Sequence, residues 1–277
     1  MTALQQFLDR LATQPACLVE VESTQGSVPR EKGAWMAVFA EDAAVGTIGG
    51  GHLEWMATQH ALRMLEQPQL AESSERYALG PSLGQCCGGV VHLRFRRVAA
   101  SDMAALRQAL SQSWMPVALF GSGHVGRALV QTMAQLPVQV QWIDSREHGF
   151  PAQVPENVQC EYSDPVEAAV EGLPSGSSLL VMSYSHQEDF QVLLAVLKRL
   201  READDLGFVG VIGSRTKWQT FRHRMQARGF SDAEIDRITC PIGVPGVDGK
   251  EPEVIAVAVA AQLLQYRSQL QAALASA

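Results

Sequence analysis

Long apolar runs are missing from this chain: nowhere do about 18 apolar residues follow one another, the length a membrane-crossing helix requires. The opening MTALQQFLDRLATQP carries acids and glutamines where a secretory signal would carry an apolar stretch, so a soluble, cytoplasmic protein with no membrane partner is expected. Cysteine is scarce. Cys17, Cys86, Cys87, Cys160 and Cys240 are scattered, odd in number and include an adjacent pair, which excludes a disulfide framework and the paired C-x-x-C spacing of a zinc site. Basic charge is also short: 22 Lys and Arg stand against 29 Asp and Glu, a formal charge of −7 with no long basic stripe. Nonspecific nucleic-acid binding, which works by releasing counterions along such a stripe, is excluded. What the chain does have is a 47% apolar fraction over 277 residues, enough for a real core in two domains or one large one.

The chain is organised around PVALFGSGHVGRALVQTMAQLPVQVQWID, residues 116–144. A short apolar run meets Gly121-Ser-Gly123-His-Val-Gly126, continues as a helical pattern and returns in a second apolar run ending at Asp144, which is a βαβ unit carrying G-x-G-x-x-G. Gly121 suits a tight turn, Gly123 the approach of a pyrophosphate to bare backbone, and Gly126 the close packing of helix on strand. The amides of the first helical turn favour an anion. Asp144 lies 18 residues past Gly126, where such an acid accepts hydrogen bonds from a ribose. His124, inside the motif, partly fills the space a pyrophosphate needs. A nucleotide fold and the use of a nucleotide are separate claims.

Before this unit, Leu4, Phe7, Leu8 and Leu11 recur at helical spacing and Cys17 to Ser23 alternates as a half-buried strand does. Gly26-Ser-Val-Pro-Arg30 reads as a loop, Ala34 to Phe39 as a strand, and Gly49-Gly50-Gly51 as a turn opening a helix that carries Glu54. Successive glycines let bare backbone wrap an anion or a flat ring; the alternative is a flexible hairpin tip. Arg30, in a neighbouring loop, offers a fork for a phosphate or the polar edge of a pterin. In LGQCCGGVVHLRF, Cys86 and Cys87 occupy a glycine-rich loop ahead of an alternating strand. Backbone amides around an exposed thiol favour the thiolate, a soft ligand suited to soft metals or sulfur transfer; the alternative is a pair of unreactive turn cysteines.

Residues 98–115 read as a connecting helix with Ser101 as N-cap, at or near a domain boundary. Further on, 158–162 and 179–182 read as strands, 165–171 as a short helix, 190–200 as an apolar helix and 208–212 as a buried strand running into Gly213. Ser214 and Arg215 then stand at a helix N-terminus, a second anion cradle, with Arg222, His223, Arg224 and Arg228 along the same helix as either a solvated basic face or a steering surface. Ser231 and Glu234 form a capping box, and the Gly- and Pro-rich stretch 240–252 leads into a long apolar helix. The chain is therefore expected to be α/β: a smaller N-terminal α+β domain over 1–100 and a C-terminal Rossmann-like, doubly wound parallel sheet over 101–277.

Six ordered blocks, GSVPREKGAWMAV, TIGGGHLEW, LGQCCGGVV, FGSGHVGRALV, FVGVIGSRTKWQTFRHRMQARGF and CPIGVPGVDGKEPEVIAVAVAAQ, resemble the XdhC family of xanthine dehydrogenase accessory proteins. The resemblance implies a chaperone that binds the molybdenum cofactor, molybdopterin carrying the metal, and helps exchange an oxo ligand for the terminal sulfido ligand. It implies delivery into the molybdenum subunit of xanthine dehydrogenase, sulfur supplied as persulfide by a cysteine desulfurase, and a homodimer. Cys87, directly before Gly88-Gly89 where the family's pattern has its cysteine, is the expected molybdenum ligand or sulfur relay, with Cys86 as assistant. The competing reading is an NAD-dependent oxidoreductase, with His186 near Asp189 as its best acid/base candidate; a third is an interaction scaffold.

Overall fold

The computed structural model describes residues 2–40, 44–67, 69–80, 88–111 and 114–276, the side chains of 274–276 excepted, and the chain divides into two units, Met1–Gln112 and Ser113–Ala277. The first is built on an antiparallel sheet whose strand order is β3-β2-β1-β5-β4, with β1 Ala16–Gln25, β2 Trp35–Phe39, β3 Val45–Gly46, β4 Glu72–Ala78 and β5 Val90–Val98. Alternation decides its two faces. Cys17, Val19, Met36, Val38, Leu93 and Phe95 point into a core shared with Leu53, Ala57, Ala61 and Met64 of α2 (Gly51–Glu66). Trp35 and Phe39, on the opposite face, meet Phe7 of α1 (Ala3–Leu11) at ring-centroid distances of 5.5 and 6.2 Å. The middle strands are thus buried on both sides.

At residues 98–115 the structure corrects one expectation. A 3₁₀ turn at Ala100–Asp102 comes first, and its N-cap is Ala99 rather than Ser101: the Ala99 amide donates to the Asp102 carboxylate at 2.8 Å. Helix α3 (Met103–Ser111) follows and packs on α1 within the first unit.

The second unit carries β6 Met115–Phe120, α4 His124–Met133, β7 Val138–Asp144, β8 Val158–Tyr162, β9 Ser178–Val181, α5 His186–Glu202, β10 Val209–Val211, α6 Arg215–Gln226, α7 Asp232–Ile235, β11 Ile238–Thr239 and α8 Pro252–Ser276. All strand pairs are parallel, in the order β11-β10-β9-β6-β7-β8. Read from the other edge this is 3-2-1-4-5-6, the doubly wound order in which ligands lie beyond the carboxyl ends where the winding reverses, between β6 and β9. Val117 and Leu119 face a core completed by α4 and α8, while Ala118 and Phe120 face one completed by α5 and α6. Among the described residues no helix is long and apolar enough to cross a membrane.

Candidate functional site

The registers Gln25↔Val90 and Met36↔Gly46 bring the end of β1, the start of β2, the end of β3 and the start of β5 to one end of the first sheet. Three loops leave from that end and touch. A Cβ on Gly89 would lie 2.4 Å from the Ser27 carbonyl oxygen and 2.5 Å from that of Gln25, so segments 25–28 and 88–89 fit only because this residue has no side chain. A Cβ on Gly49 would meet ring carbons of Pro29 at 2.5 and 2.6 Å and the stem of Arg30 at 3.5 Å, which joins the glycine turn to the Arg30 loop. Gly49, Gly50 and Gly51 hold φ of +124°, +79° and +64°, a run open to glycine alone. Among the described residues nothing lies within 4 Å of where a side chain on Gly50 would be, and Arg30 is exposed beside the turn.

Glu54 shapes this turn from beneath. Its Oε1 accepts the Ile48 amide at 2.9 Å and the Thr47 hydroxyl, and Thr47 Oγ1 accepts the Gly49 amide at 3.1 Å. That oxygen of Glu54 thus serves as a positioning group. Thr47 carries no motif of its own, and neither does Trp55, which is 59% exposed and whose ring lies tilted 5.2 Å from that of His52 in the first turns of α2. The only signal for Trp55 was a large aromatic placed just after a glycine turn.

Cys86 and Cys87 lie outside the described residues. The chain enters their segment after Gly80 and leaves it at Gly88, and the Leu79 amide donates to the Gly89 carbonyl at 2.8 Å, so both edges of the segment belong to this same end of the sheet. The described cysteines are of another kind. Burial pushes the Cys17 thiol up to about 12, and pushes Cys240 up to about 11 against the pull of Lys217; Cys160 is raised by burial too. These three are held as neutral thiols. Among the described residues no three His, Cys, Asp or Glu side chains are grouped to hold a metal ion.

In the second unit the glycine motif folds as a turn at the carboxyl end of β6. Gly121 has φ +113° and a Cβ there would strike the Met182 carbonyl oxygen at 2.2 Å; one on Gly126 would strike the Gly121 carbonyl oxygen at 2.2 Å. That carbonyl also accepts the buried Trp142 indole N–H at 3.0 Å. Gly123 faces open space, and as N-cap of α4 it leaves the first amides of the helix without a side-chain cap.

Asp144 is where the turn departs from a dinucleotide site. Its carboxylate is 2% exposed and accepts four hydrogen bonds: Oδ2 from the Ser122 amide at 2.6 Å and Arg146 Nη2 at 2.9 Å, Oδ1 from the Arg146 amide at 2.9 Å and Nε at 2.8 Å. Arg146 Nη2 also donates to Ser122 Oγ at 3.1 Å, and its guanidinium lies 5.1 Å from the Tyr184 ring centre. The following loop closes over the turn: Arg127 donates to the carbonyls of Ser122 at 3.1 Å and Gly149 at 2.8 Å. A ribose hydroxyl therefore reaches Asp144 only if Arg146 leaves.

Several of the other predicted groups are also engaged within the fold. Ser214 accepts the Lys217 amide at 3.2 Å and caps α6, with Arg215 exposed next to it. Arg222 is paired with Asp232 and Asp236, and Arg224 and Arg228 lie 3.8 and 5.0 Å from the Phe190 ring centre, so little of the basic face on α6 is uncommitted. Asp189 is buried and tied to Lys217 Nζ at 2.6 Å and to the amide and hydroxyl of Ser183 at 2.8 and 2.7 Å, whereas His186 is exposed; the two form no catalytic pair. Ser231 and Glu234 do form their capping box.

Comparison with known proteins covers both units. A sequence model of the XdhC Rossmann domain matches residues 117–263, and one of the XdhC and CoxI family matches residues 10–77. The Escherichia coli (strain K12) protein YqeB is 26% identical over 257 residues, 92% of this chain and 44% of that protein, so the chain spans less than half the length of this curated relative. A crystal structure of a xanthine dehydrogenase from Bacillus halodurans, so described, shares the fold at a TM-score of 0.75 and 17% identity over 97% of this chain and 96% of that one.

Proposed function

The chain belongs to the XdhC family, and from that premise we propose that it is an accessory protein of xanthine dehydrogenase which holds the molybdenum cofactor as cargo. What carries the reading is the meeting of three glycine loops at one end of the first sheet, with Arg30 beside them and the Cys86–Cys87 segment anchored on both sides of it. The cargo has a phosphate, a flat polar pterin and a soft metal. The loops match these in kind: an arginine fork and partly exposed backbone at Gly49 to Gly51 for the anion, an exposed Trp55 for a ring face, and thiols in a glycine-rich segment for the metal. The contacts at Gly49 and Gly89, too close to admit a Cβ, support a site built by close approach of main chain.

In this account Cys87 ligates molybdenum or relays sulfur, Cys86 assists, and Arg30 holds the phosphate end. A cysteine desulfurase would bring sulfur as persulfide, two thiols of a reductant would supply the two electrons that take this sulfur to the sulfide level and leave as a disulfide, the terminal oxo ligand would depart as water in exchange for sulfido, and the molybdenum subunit of xanthine dehydrogenase would receive the product from a homodimer of this chain. The neutral state of Cys17 and Cys240 supports placing the soft ligand elsewhere. An NAD-dependent activity is the weaker reading, because Arg146 fills the acceptor positions of Asp144. Co-expression of xanthine dehydrogenase with the Cys87→Ala protein tests the role: dehydrogenase activity is expected to fall about ten-fold or more while the folded variant accumulates normally. Unchanged activity would remove Cys87 from the pathway.

A further inference from the structure

The antiparallel sheet of the first unit ends in two edges of different kinds. At one, β3 is two residues long, too short to take a further strand; at the other, β4 runs for seven residues and pairs with β5 without a register shift. An unpaired row of main-chain N–H and C=O groups is a template for another strand, and folds blunt it with proline, lysine, a bulge or brevity. The β4 sequence ESSERYA has no proline and no lysine, and its charges are of both signs.

Alternation fixes which groups this edge presents. In an antiparallel pair, residues that exchange hydrogen bonds with the neighbouring strand alternate with residues whose main-chain groups point away from it. The Arg97 amide donates to the Ala71 carbonyl at 2.9 Å and the Leu79 amide to the Gly89 carbonyl at 2.8 Å, so the odd-numbered positions of β4 bond to β5. Glu72, Ser74, Arg76 and Ala78 therefore turn their N–H and C=O groups outward, and all four are exposed. Tyr77 enters the core shared with α2, so the side chains of Glu72, Ser74 and Arg76 lie on the face turned away from that helix. Among the described residues no strand lies beyond β4.

We propose that β4 pairs with β4 of a second copy of this chain, antiparallel across a two-fold axis at Ser74, so that one sheet runs through both copies. Only the even-numbered positions can exchange hydrogen bonds across such a seam. With Ser74 on the axis, Glu72 stands opposite the partner's Arg76 at both ends, giving two attractive cross-strand pairs on one face, while Ser73 stands opposite the partner's Glu75 on the other. Moving the axis one residue towards Ala78 sets Glu75 against the partner's Glu75, and moving it two sets Arg76 against the partner's Arg76, like charges directly opposed. One residue the other way carries Arg76 past the end of the paired strand. The inference rests on the homodimer named above and supplies its surface; Cys87, Arg30 and the glycine loops take no part.

Sedimentation equilibrium of the full chain tests it, with wild type expected as a dimer. Ser74→Pro removes the outward N–H at the axis and leaves the bonds to β5 in place, so it should give a monomer with an unchanged circular dichroism spectrum. Glu72→Arg and Arg76→Glu each oppose like charges twice and should each weaken the dimer about ten-fold or more. An equimolar mixture of the two has unlike charges at both pairs and should regain wild-type association, as should the chain carrying both substitutions. A local defect in β4 would show neither rescue. A wild-type monomer would overturn the dimer and this interface together and leave the edge to a foreign strand. A dimer that survives Ser74→Pro, or single variants that the mixture fails to rescue, would overturn the interface alone, and neither outcome bears on the Cys87 test of the accessory role.

Discussion

Asp144 is pulled up by burial, yet the hydrogen bonds from the Arg146 guanidinium, from Ser122 and from two amides outweigh that pull and hold it at about 2, below its ordinary 3.8. A carboxyl whose folded value is depressed stabilises the fold above its unfolded value and loses that contribution as pH falls through the folded one. Here the window is about pH 4 to 2, and the contribution at neutral pH is about 2 kcal/mol. Asp144→Asn is expected to lose that amount in urea unfolding at pH 7, and the difference from wild type should vanish towards pH 2. Lys217 and Asp189 form the second buried contact, 10% and 2% exposed at their side chains. Lys217→Met leaves the buried Asp189 without its countercharge and should cost about 3–5 kcal/mol, while Lys217→Met with Asp189→Asn should recover much of it, as unfolding of the single and double variants would show. Neither arrangement was legible in the sequence: Asp144 was read as a ribose acceptor, and nothing in the spacing from Asp189 to Lys217 reveals that α5 and α6 bring them together.

Among the elements, those with strong periodicity were readable and those shaped by solvent were not. The stripe Leu4, Phe7, Leu8, Leu11 and the βαβ unit stand out because one face or both must be buried. Strand β4, ESSERYA, was missed: it is an edge strand with Tyr77 as its one buried residue, so no alternation marks it. β3 and β11 are two residues each, too short to leave a pattern. The glycines of the candidate site were visible as motifs, but their convergence depends on the strand order, which no single motif encodes. A neighbouring pair makes this testable. Gly89→Ala drives a Cβ into two carbonyl oxygens and should destabilise the first unit by about 1–3 kcal/mol, whereas a Cβ at Gly88 meets nothing within 4 Å among the described residues and Gly88→Ala should change stability by less than about 0.5 kcal/mol, both read by urea unfolding. Equal effects would mean that segments 25–28 and 88–89 do not touch as described.

At the scale of the whole molecule, each unit is defined by its own motifs and its own contacts. The glycine fingerprint belongs to a sheet of nucleotide-binding order, yet its acidic acceptor is closed off by Arg146, while the features suited to the proposed cargo gather on the antiparallel sheet. If Arg30 and Cys87 serve one site from two loops, their effects on bound cargo should overlap. The decisive measurement is the molybdenum and pterin content of the chain purified from a host that makes the cofactor, compared among wild type, Arg30→Ala, Cys87→Ala and the double variant. A shared site predicts co-purifying molybdenum and pterin in wild type, a loss of about ten-fold in each single variant, and a double variant little worse than either. Equal content in all four proteins, or none in any, would contradict it.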